Sequence, residues 1–274
     1  MNSRAIRAVI RKDLSTVLRS KAVLIPLILV PLFLLVVVPA ITVFAGGAAS
    51  SASTTGASSD IAQLLSMVPE GLRTILNGYQ GDQIWVVFAT VYMFAPLFLV
   101  LPMMVSSVIA ADSFVGERER KTLEALLHTP LTNWELLLAK TLSAWLAALA
   151  VSLVGFVLYT VVVNLIGWPT MGRVFFPNLM WMVLMFWVAP AAAGLGLGTT
   201  VLISSRVNTF QEAYQTSGLI VIPIVALVIA QSVGVMYFSV ELTLLLGLGI
   251  WAIDVLLFWV GARTFKRDAL ITRL

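Results

Sequence analysis

The chain contains no cysteine and only one histidine among 274 residues. Without a thiol there is no disulfide, no thiolate metal site and no cysteine nucleophile. His128 has no serine or aspartate partner near it in sequence, so nothing supports catalysis of the triad type. Phosphate-binding loops are also missing. Gly116-Glu-Arg-Glu-Arg-Lys-Thr lacks the second glycine that a phosphate cradle needs before its lysine, and Gly194, Gly196 and Gly198 lie inside an apolar run rather than between a strand and a helix. No pair of carboxylates falls within an apolar run. The sequence therefore offers no catalytic residue, no metal ligand set and no site for a cofactor of its own.

Charge is scarce too. Asp, Glu, Lys and Arg make up 11% of the residues and hydrophobic types 60%, whereas soluble domains carry roughly 25% charged residues. With a mean hydropathy of +1.01, the chain reads as a polytopic membrane protein. Six apolar runs are long enough for a bilayer core that needs about 20 helical residues: 23–45, 84–111, 142–165, 179–203, 215–235 and 242–262. None shows the short alternating segments of a barrel, and helices satisfy every backbone group internally. The first run exceeds the roughly 7–15 residues of a signal-peptide core, so we read it as an uncleaved span. The fold expected is all-α.

The basic residues set the orientation. Of the seventeen, only Arg73 and Arg173 fall on the side opposite both termini, and the remaining fifteen lie on the terminal side. By the positive-inside rule both termini are cytoplasmic, in a cell inner or plasma membrane. The pI near 9.6 is thus a topology signal rather than a mark of nucleic-acid binding. Ile6, Val9, Ile10, Leu14, Val17 and Leu18 recur at helical spacing while Arg4, Arg7 and Arg11 share another face. Residues 1–21 are therefore expected to form an amphipathic helix at the inner membrane surface. Opposite lies an outer loop over 46–83, Gly- and Ser-rich at first and then apolar at helical spacing (Leu72, Ile75, Leu76) after a break near Pro69.

The dense charge cluster of the chain, residues 112–133, falls in the cytoplasm under this topology. Glu117 and Lys121, and Arg120 and Glu124, are spaced to pair along a short helix. Leu123, Leu126 and Leu127 give that helix an apolar edge, Pro130 ends it, and Thr132-Asn-Trp-Glu135 has the form of a capping box that starts the next helix. An ordered helix with an apolar edge suits docking of a soluble partner better than a solvated topogenic loop. Within the membrane runs, Gly194 and Gly198 form a G-x-x-x-G face for close helix packing. Asp254 sits near the middle of the sixth run, where an unpaired charge costs at least about 2.5–3.5 kcal/mol, so it should face the protein interior. Pro96, Pro102, Pro190 and Pro223 can kink their helices.

Gly116-Glu-Arg-Glu-Arg-Lys-Thr-Leu-Glu-Ala-Leu-Leu-His-Thr-Pro130, followed by Trp134-Glu-Leu-Leu-Leu-Ala-Lys140, resembles the signature of type-2 ABC exporter permeases. Ile203-Ser-Ser-Arg-Val-Asn-Thr-Phe-Gln-Glu-Ala213 is similar to the turn before that family's fifth span. The resemblance implies a cytoplasmic coupling helix on a separate ATP-binding subunit that carries ATP and magnesium, a second permease copy, and a path lined by spans two and five. On it, Glu117, Arg118, Glu119, Leu123, Glu124, Leu126 and Leu127 would contact the ATPase, and Phe94, Phe98, Met103, Gln215, Leu219 and Ile222 would line the path. The alternative is a self-contained secondary transporter or channel using Asp254 as an ion or proton site.

Overall fold

In the computed structural model of the protein, the described residues are 3–44, 69–120, 132–204, 206–207, 209–233 and 235–264. Every regular element among them is helical, as the composition led us to expect. The sequence begins with α1 (Ser3–Arg19). Six helices long and apolar enough to cross a membrane follow: α2 (Leu24–Phe44), α4 (Asp82–Glu119), α5 (Asn133–Met171), α6 (Leu179–Ser204), α7 (Phe210–Gln231) and α8 (Val240–Thr264). A short helix, α3 (Glu70–Leu76), precedes α4 and buries Leu72 and Leu76, the apolar positions expected after Pro69. Residues 45–68 and 121–131, with most of the outer loop, Leu123, Glu124, Leu126, Leu127 and His128, lie outside the described residues.

Two helices are much longer than the apolar runs within them. At about 1.5 Å per residue, the 38 residues of α4 extend about 57 Å, nearly twice the ~30 Å hydrocarbon core. The 39 residues of α5 match it. Both project beyond the apolar zone at the end that carries most of the basic residues, here the basic end. The sequence ended span two at Ala111, yet the helix continues through Asp112–Gly116 to Glu119. It continues because the polar side chains there find partners inside the protein. The start of α5 is fixed by the anticipated capping box: Thr132 Oγ1 accepts from the Glu135 amide at 3.2 Å, and the Glu135 carboxylate accepts from the Thr132 amide at 3.0 Å.

The axis of the bundle is α4, of whose apolar window 78% is buried, against 11% for α8. Against it pack α6 and α5 most extensively, then α7. The α4–α6 approach is close because Gly196 has no side chain: a Cβ there would lie 2.5 Å from the Met103 carbonyl oxygen. Ser107 of α4 donates to the Gly196 carbonyl at 3.0 Å across the same contact.

Near the opposite end, Phe98, Phe156, Tyr159, Phe176 and Trp181 form an aromatic core from α4, α5, α6 and the 172–178 link. Here α4 widens into a π turn at Phe88–Met93. Such a turn opens main-chain acceptors to side-chain donors. The Tyr159 hydroxyl donates to the Thr90 carbonyl at 2.5 Å and the Trp181 indole to the Val91 carbonyl at 2.7 Å.

Candidate functional site

At the basic end, three helices meet around one fully buried ammonium. Lys140 lies seven residues into α5, about 10 Å from its start, with no solvent exposure. Its Nζ donates to the Glu117 carboxylate at 2.6 Å, to the Ser113 carbonyl at 2.6 Å and to Ser113 Oγ at 3.0 Å. The Ser113 carbonyl is available because Asp112–Gly116 forms a second π turn in α4. Glu117 Oε1 accepts from Lys12 of α1. Thus one carboxylate takes a lysine from each side and ties α1, α4 and α5 together. A buried charge is tolerable only when paired and hydrogen-bonded in this way.

Asp13, the next residue of α1, enters the same cluster. Its Oδ2 accepts from Ser113 Oγ at 3.3 Å and lies 3.2 Å from Ser143 Oγ, while Oδ1 lies 3.6 Å from Lys12 Nζ. Burial pushes the Asp13 carboxyl above its ordinary range and nearby Glu117 adds to this, against the opposing pull of Lys140 and Lys12. The face that carries it is readable in retrospect. Val9, Asp13 and Val17 recur every four residues and are all buried, while Arg7 and Arg11 are exposed. Val9 packs on Leu136 and Ala139 of α5. So α1 docks on the protein as well as presenting a basic face outward.

The last three residues of α4 and Arg120 just after it each have a defined partner. Glu117 serves α1 and α5. Arg118 donates to the carbonyls of Ser204, at 2.9 Å, and Val207, at the end of α6 and just after it. Glu119 accepts from the Phe210 amide at 2.9 Å and so caps the first turn of α7. Arg120 pairs with buried Asp112 at 2.8 Å, and Gly116 leaves room for that bridge, since a Cβ there would lie 2.8 Å from Asp112 Oδ1. Sequence spacing gave Glu117 and Arg120 local partners, Lys121 and Glu124, which lie outside the described residues. Among the described residues Glu117 pairs with Lys140 and Lys12, and Arg120 with Asp112. Lys12, Asp13, Ser113 and Lys140 were not singled out from sequence as site residues.

The six residues expected along a path fall in three places. Phe94, Phe98 and Met103 point into the interior of the bundle, where Phe94 meets Tyr159 and Phe98 meets Trp181. Gln215 borders a pocket of about 230 Å³ between α4 and α7, lined also by Val100, Met104, Ser107, Ser217 and Val221. Leu219 and Ile222 are each 61% exposed on the outward face of α7. The α4 positions at the pocket, Val100, Met104 and Ser107, lie on the face next to that of Phe94, Phe98 and Met103. Asp254 does turn inward, onto Gly194 of α6, and neighbouring Leu257 meets Gly198, so both glycines of the G-x-x-x-G face receive α8.

Comparison with known proteins adds one match. The family model described as ABC-2 family transporter protein matches residues 7–257. No curated protein and no solved structure matches the chain.

Proposed function

The chain belongs to the ABC-2 family of transporter proteins, and from that premise we propose that it is the membrane-spanning subunit of an ATP-driven exporter. Its ATPase is a separate polypeptide, which binds the ATP and magnesium and docks under residues 117–127 and α1. Two copies of the chain pair around a common path. Both termini and the 112–133 segment face the cytoplasm, and 46–83 faces outward.

The observation that carries this reading is the joint around Lys140. A push delivered to the segment after Arg120 reaches α4 directly, α1 and α5 through Glu117, and α6 and α7 through Arg118 and Glu119. A merely topogenic loop needs none of these ties. Within this reading Leu123, Leu126, Leu127 and Glu124 make the outward contacts with the ATPase, and Glu117, Arg118 and Glu119 hold the base of the coupling segment in register. The pocket between α4 and α7 belongs to the path together with Gln215, and Leu219 and Ile222 face the second copy. Few charges face the interior of the spans, which suits lipids or other hydrophobic cargo over sugars.

Two measurements test it. Leu126→Asp should abolish stimulation of a co-purified ATPase while the chain still inserts. Full coupling by a well-inserted Leu126→Asp protein would overturn the reading. Since the chain lacks cysteine, single cysteines at Asn2 and Ser58 report topology directly. A membrane-impermeant maleimide applied outside intact cells should label Ser58→Cys and spare Asn2→Cys.

A further inference from the structure

The α6–α8 contact is built from side chains seated in glycine notches. Trp187 of α6 sits over Gly247 of α8, and a Cβ on that glycine would lie 2.4 Å from the indole. Leu257 of α8 sits over Gly198 of α6, and between these two levels Asp254 sits over Gly194, whose Cβ would lie 2.5 Å from Oδ2. Two indoles span the contact above it: Trp187 Nε1 donates to the Leu244 carbonyl at 3.1 Å, and Trp251 Nε1 to the Trp187 carbonyl at 3.3 Å. A row of notches filled by indole and leucine calls for an apolar side chain at every level. At one level the filler is a carboxyl.

Both oxygens of that carboxyl are shielded from solvent, and neither has a hydrogen-bond partner among the described residues. Among the described residues no cation pairs with it. α6, the main packing partner of α8, has no Asp, Glu, His, Lys, Arg or Tyr anywhere in residues 179–204. On α8 itself the charged residues are Glu241 and Arg263, near its two ends. α5 touches α8 through Trp134 against Phe258, and its nearby charges are committed elsewhere: Glu135 to the cap at Thr132 and Lys140 to Glu117. An ionised carboxylate needs donors or a counter-charge when withdrawn from water, whereas a neutral carboxylic acid is close in size and polarity to what the notch accepts.

We propose that Asp254 is a proton-binding site within the membrane: its carboxyl holds a proton while α8 is seated on Gly194, and release of the proton is linked to parting of α6 and α8 at this level. The ligand is the proton itself. The site stands apart from the joint at Lys140 and does not depend on which cargo or ATPase the protein uses. Its consequence is a pH-dependent seat for the sixth span. Low pH holds the two helices together, and ionisation of Asp254 favours the separated arrangement, in which water can reach the carboxylate.

The test uses the full-length purified chain in lipid nanodiscs, with Asp13→Asn as the background so that the other buried aspartate does not contribute. Infrared difference spectra between that protein and the same protein carrying Asp254→Asn should show the carbonyl band of a protonated carboxylic acid at neutral pH, disappearing on alkalinisation. Absence of that band at neutral pH, with a carboxylate band in its place, would overturn the site. Hydrogen exchange of residues 248–260, corrected for the intrinsic pH dependence, reads the linkage. Exchange should rise several-fold with pH when Asp254 is present and stay flat with Asn. Parallel profiles for the two proteins would overturn the linkage. If the Asn protein fails to accumulate, Asp254→Leu serves as the reference, because a position that accepts a neutral acid also accepts an isosteric apolar side chain.

Discussion

Glu117 and Asp254, two of the acidic side chains withdrawn from water, have opposite surroundings. Glu117 lies between two lysines at the basic end of the bundle, and the fully buried one, Lys140, is held as well by the Ser113 hydroxyl and an opened main-chain carbonyl. Asp254 lies on bare glycine, with no donor near either oxygen. The first carboxylate can be charged because the protein has moved cations to it; the second has only helix backbone and apolar side chains. A buried acid thus serves two purposes in one chain. Where partners converge, it binds elements together, and where none do, it leaves a contact that can be undone.

The contrast is tested most strongly at Lys140. Lys140→Met takes from Glu117 its fully buried partner and leaves it Lys12, which should cost up to about 3–5 kcal/mol, seen as a large drop in the thermal midpoint of the detergent-solubilised protein. Adding Glu117→Gln should recover part of that loss. Asp254→Asn, which removes no partner, should leave the midpoint nearly unchanged; a loss as large as that of Lys140→Met would erase the distinction. Next in size is Gly194→Ala. It fills the notch beneath Asp254 and should cost about 1–3 kcal/mol by overpacking, with relief when combined with Asp254→Ala. Failure of the second change to relieve the first would mean that the carboxyl is not what fills the notch.

Thr132→Ala provides an exposed control. It removes a reciprocal cap that stands in water and should cost about 1 kcal/mol, well below the buried pair. A small effect at neutral pH is also expected from Asp13→Asn. Because burial raises the Asp13 carboxyl above its ordinary range, the docked α1 favours the protonated form. That stability is complete below the ordinary carboxylate range and is lost as pH rises through the raised value. Protease cleavage within α1 should therefore increase with pH in the wild type and show a flatter profile with Asn. Identical profiles would remove Asp13 from the docking contact.

The sequence carried the gross architecture because the apolar runs, basic flanks and capping box are local signals. Thr132 and Glu135 sit three residues apart, and the glycines 194 and 198 lie one turn apart, so their roles follow from spacing alone. The joint was harder to see. Lys140 and Glu117 are 23 residues apart, and Lys12 is 105 from Glu117, so no short-range periodicity links them. The nearest sequence clue was Asp13, an acid on the apolar face of a basic helix. The π turns of α4 were harder still, because an unbroken 3.6-residue period cannot anticipate them.

Those π turns also bear on what changes this protein tolerates. A π turn absorbs one extra residue, so the helix beyond it points almost as it would without that residue. Removing one residue from Asp112–Gly116 would restore the regular pitch and leave Glu117, Arg118 and Glu119 facing nearly the same neighbours. What it would take away is the opened Ser113 carbonyl that Lys140 now uses. A further inserted residue has no such slack: everything beyond would rotate by about 100°, and each of the three side chains would be delivered to the wrong neighbour. Single-residue deletions across 112–116 should therefore keep many working members, while insertions there should behave like misaddressed mail, with every side chain intact and none arriving where it is received.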